Sequence, residues 1–194
     1  MPHALRIGGF VPFTSIDYPG QLSAVVFCQG CPWRCGYCHN QHLLDSRTTG
    51  LLDWREILEK LHQRRGLLDA VVFSGGEPTL QKNLRDAMEQ VRTMGFKVGL
   101  HTAGCYPHRL KTLLPLVDWV GLDIKDLPEN YPALTGAGGS GNQAWDSLDI
   151  LLNADIPLQV RTTVHPGMAK EQVARLCTNL SRMGVTDHSL QACH

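Results

Sequence analysis

Short apolar runs alternate with amphipathic stretches along most of the chain. SAVVFC (23–28), DAVVFSGGEP (69–78), KVGLHTAG (97–104), DWVGLDIKD (118–126), PLQVRTTVHPG (157–167) and SLQAC (189–193) are short and apolar, and three of the six end in glycine or proline. They read as buried strands. Between them apolar residues recur at helical spacing: Trp54, Ile57, Leu58 and Leu61, then Leu84, Ala87, Met88 and Val91. The same spacing returns at Trp145, Leu148 and Leu152, and at Val173, Leu176, Cys177, Leu180 and Met183. It predicts helices over 51–65, from 84 to a stop at Gly95, over 142–153, and over a last stretch stopped by Gly184. A further helix is expected at 107–116, with Pro107 in its first turn. Gly8-Gly9 and Pro19-Gly20 punctuate RIGGFVPFTSIDYPG and predict a short hairpin leading into the first run. YPALTGAGGSGNQ (131–143) reads as an exposed glycine-rich loop.

Strand, helix, strand in repetition predicts an α/β protein with a parallel sheet and right-handed crossovers. A complete eight-unit barrel takes about 250 residues. The 194 residues here suit a partial (βα)6 TIM-like barrel with a short N-terminal hairpin. A flat doubly wound sheet is the rival. In either fold, chemistry sits at the C-terminal ends of the parallel strands. The cysteine-rich stretch, Gly75-Gly76-Glu77, His101-Thr102, Asp123 with Lys125, His165 and His194 all fall there. Neither a linker nor a repeat divides the chain, so residues 1–194 are expected to form a single domain.

Composition narrows the partners. Lys plus Arg and Asp plus Glu are 18 each, so the net charge is zero and nothing electrostatic calls for nucleic acid. No apolar run approaches the roughly 18 residues that span a bilayer. The first ten residues lack a signal-peptide pattern, so a cytoplasmic protein is expected. Seven cysteines in that compartment point to metal or redox chemistry rather than to disulfides.

Four of the seven lie in FCQGCPWRCGYCHN (27–40): Cys28, Cys31, Cys35 and Cys38. Zinc sites built from two CxxC pairs have a longer separation between the pairs. A cluster held by all four thiolates, as in an electron-transfer module, is a stronger alternative, although its usual spacing runs in a different order. A third arrangement omits Cys28. Cys31-x3-Cys35-x2-Cys38, on a loop tightened by Gly36, resembles the signature of the radical S-adenosylmethionine (SAM) superfamily. That resemblance implies three thiolates on a 4Fe–4S cluster whose fourth iron takes the amino and carboxylate groups of SAM.

SIDYPGQLSAVVFCQGCPWRCGYCHN is similar to the opening of glycyl-radical-enzyme activating proteins, which are relatives of pyruvate formate-lyase activating enzyme. Within that branch it looks most like the activators of anaerobic ribonucleoside-triphosphate reductase. The resemblance covers nearly the whole chain and implies a six-unit partial barrel. It also implies a role for each matching motif. Tyr37 lies near the adenine. Ser74-Gly75-Gly76-Glu77-Pro78 receives the amino group of SAM, with Gly75 and Gly76 letting backbone approach the ligand and Glu77 adding its charge. Thr102 faces SAM. Asp123 and Lys125, on one face by strand alternation, take a monovalent cation and the SAM carboxylate respectively. His194 falls near the ribose, and Arg161 matches an arginine near the site. His165, before Pro166-Gly167, reads as a turn residue. One position departs from the family: His101 stands where the relatives carry an acidic cation ligand, and imidazole is no hard oxygen donor.

The implied reaction is reductive cleavage of SAM to a 5′-deoxyadenosyl radical, which removes a glycine hydrogen from a partner enzyme. It requires no acid–base catalytic residue. Reduced flavodoxin or a similar protein is the expected electron donor. The other readings are the four-cysteine electron-transfer module and radical SAM chemistry on a small molecule or a tRNA base.

Overall fold

The computed structural model describes residues 5–48 and 51–193. Seven strands stand side by side in chain order: β1 (Ile7–Thr14), β2 (Ser23–Cys28), β3 (Ala70–Gly75), β4 (Lys97–Thr102), β5 (Trp119–Asp123), β6 (Leu158–Val164) and β7 (His188–Ala192). β1 runs antiparallel to β2, forming the expected hairpin, and each later neighbour is parallel. Helices α1 (Trp54–His62), α2 (Leu84–Thr93), α3 (Pro107–Leu113), α4 (Tyr131–Thr135), α5 (Ser140–Leu152) and α6 (Lys170–Arg182) make the crossovers. Chain-order strands make a barrel wall; a doubly wound sheet reverses its order partway across. The wall is open, with β1 and β7 as its edges. Among the described residues no helix is long and apolar enough to cross a membrane.

Strand alternation sorts the side chains into two layers. Val26, Cys28, Val71, Phe73, Val98, Leu100, Val120 and Leu122 join the core beneath the helices. Val25, Ala70, Val72 and Trp119 point to the other side, where Tyr18 from the β1–β2 loop plugs the barrel. The Tyr18 and Trp119 rings stack with centroids 5.1 Å apart. Gly99 and Gly121 make room for them. A Cβ on Gly99 would lie 3.1 Å from the Tyr18 ring, and one on Gly121 2.9 Å from Trp119. Above this plug the same inward register carries Ser74, His101, Asp123 and Arg161.

The reading of 131–143 as an exposed loop is corrected. Most of it is helical, in α4 and the start of α5, and Tyr131 is fully buried. Tyr131 meets Trp33 edge-on at 5.8 Å, and its hydroxyl oxygen accepts the Lys125 N–H at 2.8 Å. The Gly141 Cα is pressed so close to Pro128 that no side chain fits. Glycine here serves packing rather than looseness.

Candidate active site at the C-terminal mouth of the barrel

The cysteine loop leaves β2 at Cys28 and is held by backbone bonds. The Gly30 N–H donates to the Leu43 carbonyl (2.7 Å), Cys31 to Leu44 (3.1 Å) and Arg34 to Thr135 (2.8 Å). Trp33, 2% exposed, nails the loop into the core. Gly30 makes the tight turn, with φ of 101°. The sequence reading gave that task to Gly36, which has neither a positive φ nor a close neighbour.

Cys31, Cys35 and Cys38 line one pocket together with Tyr37, Gly75, Gly76, Thr102, Asp123, Lys125 and Arg161. Cys28 does not; its side chain is wholly buried in the core, where burial first and the Glu77 charge second push its thiol well up. Strand alternation explains the difference, since Cys28 is the last β2 residue on the helix-facing side. His194 lies outside the described residues. His39, Asn40, Ser74, Ala103 and Thr163 also line the pocket; His39 and Asn40 follow Cys38 in the cysteine stretch and Ser74 opens the Ser-Gly-Gly-Glu motif, whereas Thr163 carried no sequence signal.

Glu77 is placed differently from the expectation. Its carboxylate is fully buried and absent from the pocket wall. One oxygen accepts the Thr79 N–H (3.0 Å), the Thr79 hydroxyl and the Thr102 hydroxyl (2.7 Å); the other accepts the Ala103 N–H (3.0 Å). Glu77 thus ties the end of β3 to the end of β4. Gly75 and Gly76 likewise serve close backbone contact within the protein. A Cβ on Gly75 would sit 2.4 Å from the Cys28 nitrogen, and one on Gly76 2.4 Å from the Gly30 oxygen. What lines the pocket here is Ser74 and the Gly75–Gly76 backbone.

The floor is charged. Asp123 Oδ1 accepts from Arg161 Nε (3.1 Å) and Nη2 (3.0 Å). Burial opposes the Asp123 charge, but Arg161 and Lys125 hold its carboxyl below the usual range. Burial also opposes the Lys125 charge, and Asp123 nonetheless holds that ammonium up. His101 Nε2 contacts the Asp17 carbonyl oxygen at 2.8 Å, which makes it the donor, while Nδ1 faces the Ser74 hydroxyl at 3.4 Å. Burial and then Arg161 push His101 down to about 4, so it is neutral at pH 7. Tyr37 sits above the floor, with Lys125 Nζ 5.8 Å from its ring centroid. Burial raises its hydroxyl to about 12.

The radical SAM superfamily profile matches residues 25–180. The chain belongs to the radical SAM superfamily. It is 30% identical over 175 residues to the putative glycyl-radical enzyme activating enzyme MJ1227 of Methanocaldococcus jannaschii, covering 86% of this chain and 71% of that protein. It is 32% identical over 179 residues to the pyruvate formate-lyase-activating enzyme of Clostridium pasteurianum, covering 88% and 74%. Among solved structures, native anSMEcpe with bound AdoMet superposes with a TM-score of 0.68 at 17% identity. That match covers 86% of this chain and 49% of the other, so this chain spans about half of it.

The superfamily's cofactors are a 4Fe–4S cluster and SAM, and the residues present fit both. Three soft thiols from one loop face a common opening; the buried Cys105 thiol hydrogen-bonds with Cys31 from behind but does not line that opening. Lys125 and Arg161 supply positive charge for a carboxylate, and the Gly75–Gly76 backbone lines the same pocket. A monovalent cation does not fit as well: Asp123 Oδ1 is already engaged by Arg161, and neutral His101 offers a donor to Asp17 instead of an oxygen ligand.

Proposed function

We propose that this radical SAM protein activates a glycyl radical enzyme by abstracting hydrogen from one of its glycines. The observation carrying this reading is the three-thiol loop beside the Lys125–Asp123–Arg161 floor, in a chain whose relatives bear activating-enzyme names. When bound, the cluster supplies the electron that cleaves SAM and so releases the hydrogen-abstracting adenosyl radical. The chain's own residues do the rest. Cys31, Cys35 and Cys38 would hold the cluster. Lys125 pairs with the SAM carboxylate, and the Ser74–Gly76 carbonyls receive its ammonium. Glu77 and Thr102 fix the two strand ends that carry those contacts. Tyr37 walls the nucleoside side, and buried aromatic surface keeps water from the radical. The open edges of the barrel suit a substrate that is itself a protein loop. Reduced flavodoxin or a similar protein serves as electron donor.

Anaerobic ribonucleoside-triphosphate reductase is the partner favoured by the family likeness of the SIDYPGQLSAVVFCQGCPWRCGYCHN stretch; pyruvate formate-lyase is the alternative. The test is anaerobic. Cluster-loaded protein, dithionite and SAM are mixed with each purified candidate; 5′-deoxyadenosine is measured by chromatography and the glycyl radical by electron paramagnetic resonance. A glycyl radical formed on the reductase supports the proposal. Deoxyadenosine without a radical on either partner moves the substrate to a small molecule or a tRNA base. No deoxyadenosine, with a cluster that needs all four of the first cysteines, restores the electron-transfer module.

A further inference from the structure

His165 opens the β6–α6 connection just past Val164, and its sequence context reads as structural. The structure puts its imidazole face to face with the Tyr37 ring, with centroids 5.4 Å apart and planes 11° from parallel. The imidazole is itself held. The Gly167 N–H donates to Nδ1 at 3.2 Å, which leaves the proton on Nε2, and the Met168 N–H closes the turn on the His165 carbonyl at 2.9 Å.

The outer tips of both rings are unanchored. Tyr37 Oη and His165 Nε2 are buried, and neither has a hydrogen-bond partner among the described residues. Hydrogen bonding at its tip therefore does not set the angle of the Tyr37 ring; its ring contacts do. Two of those contacts are the His165 imidazole and the Lys125 ammonium. Tyr37 also sits between Cys35 and Cys38, so whatever braces the ring braces this stretch of the cysteine loop. The stack thereby connects two segments far apart in sequence, the loop after β2 and the turn after β6.

We propose that His165 is a positioning residue that braces Tyr37 by ring stacking and so sets the pocket wall that meets the nucleoside end of SAM. This rests on the reading of the pocket as a SAM site. The ring, and not the nitrogen, is the working part, because Nε2 contacts no partner and Nδ1 serves only the turn.

The experiment is equilibrium dialysis of labelled SAM against anaerobic, cluster-loaded protein, comparing wild type with His165→Leu and His165→Phe. Leucine keeps apolar bulk without a ring; phenylalanine keeps the ring without nitrogens. Loss of an aromatic stack weakens SAM binding roughly three- to tenfold in the leucine variant. The phenylalanine variant binds within about twofold of wild type on the same physical ground. Iron content and melting temperature, measured alongside, stay close to wild type in the phenylalanine variant. The proposal is overturned if the leucine variant binds as wild type does, or if phenylalanine fails to restore binding. If the leucine variant loses the cluster, phenylalanine alone decides: wild-type affinity supports the brace and weak affinity overturns it. Wild-type protein that binds no SAM at all overturns the SAM reading of the pocket, and this proposal with it.

Discussion

Removing the Glu77 carboxylate unties two walls of the pocket at once. The group is fully buried and takes four protein donors from Thr79, Thr102 and Ala103. In Glu77→Ala the two threonine hydroxyls rotate toward new partners, but the Thr79 and Ala103 N–H groups are fixed by the backbone and stay stranded. Each buried donor left unpaired costs about 1–3 kcal/mol. Truncation also leaves a cavity. The sum is about 4 kcal/mol, within the range for removing one side of a buried charged network. Glu77→Gln preserves shape. Its amide oxygen still takes the Thr79 and Thr102 donors, but its NH2 then confronts the Ala103 N–H. One stranded backbone donor makes that loss about 2 kcal/mol. Urea unfolding of the cluster-free protein under reducing conditions measures both, as shifts in midpoint at unchanged slope. Losses below about 1 kcal/mol in the alanine variant would refute the bracket. Equal losses for Ala and Gln would show that charge, rather than the number of satisfied donors, sets the energy.

Cys35→Ala abolishes the iron–sulfur absorbance and lowers iron content to background, while Cys28→Ala keeps both and loses only about 1 kcal/mol of stability; iron assay and visible spectra check this. Gly76→Ala drives a methyl into the Gly30 carbonyl, a backbone group that cannot swing aside, and costs about 3 kcal/mol by urea unfolding. His101 provides a pH signature. Its folded value is about 4 against 6.5 ordinarily, so between these the unfolded chain binds the proton first. The stability it contributes is complete above pH 6.5 and drains away as pH falls toward 4, by roughly 3 kcal/mol in all. Unfolding of wild type and His101→Gln across that window compares the two slopes; the glutamine variant is flatter, and parallel curves would count against the burial of His101.

Much of the fold was legible locally because periodicity reports which faces are buried. Ser23–Cys28 has the strand limits read from the sequence, and the second helix starts at Leu84 and turns off at Gly95, whose φ is 93°. Pro107 does open α3. Glycine misled where its role was spatial. In 131–143 it signalled looseness, whereas Gly141 is there because Pro128 occupies the space of a side chain. At Gly75-Gly76 it pointed to the pocket that both residues line, but not to the Cys28 and Gly30 backbones that also crowd them. Composition reads the freedom of glycine and not the neighbour that demands it.

By itself the sequence determined the order of the strands and of every helix but α4, the three-cysteine spacing and the strand ends where chemistry gathers. These depend on contacts between near neighbours and on side-chain period. Only the tertiary structure decided that Cys28 turns into the core, that Glu77 braces two strands from inside, that Arg161 engages Asp123, and that His165 meets Tyr37. Each of these depends on which distant segment fills a given volume. Asp123 and Arg161 become partners only because β5 and β6 pair in the register that sets them opposite one another. Tyr37 and His165, 128 positions apart, stack only because the barrel brings the ends of β2 and β6 to the same mouth.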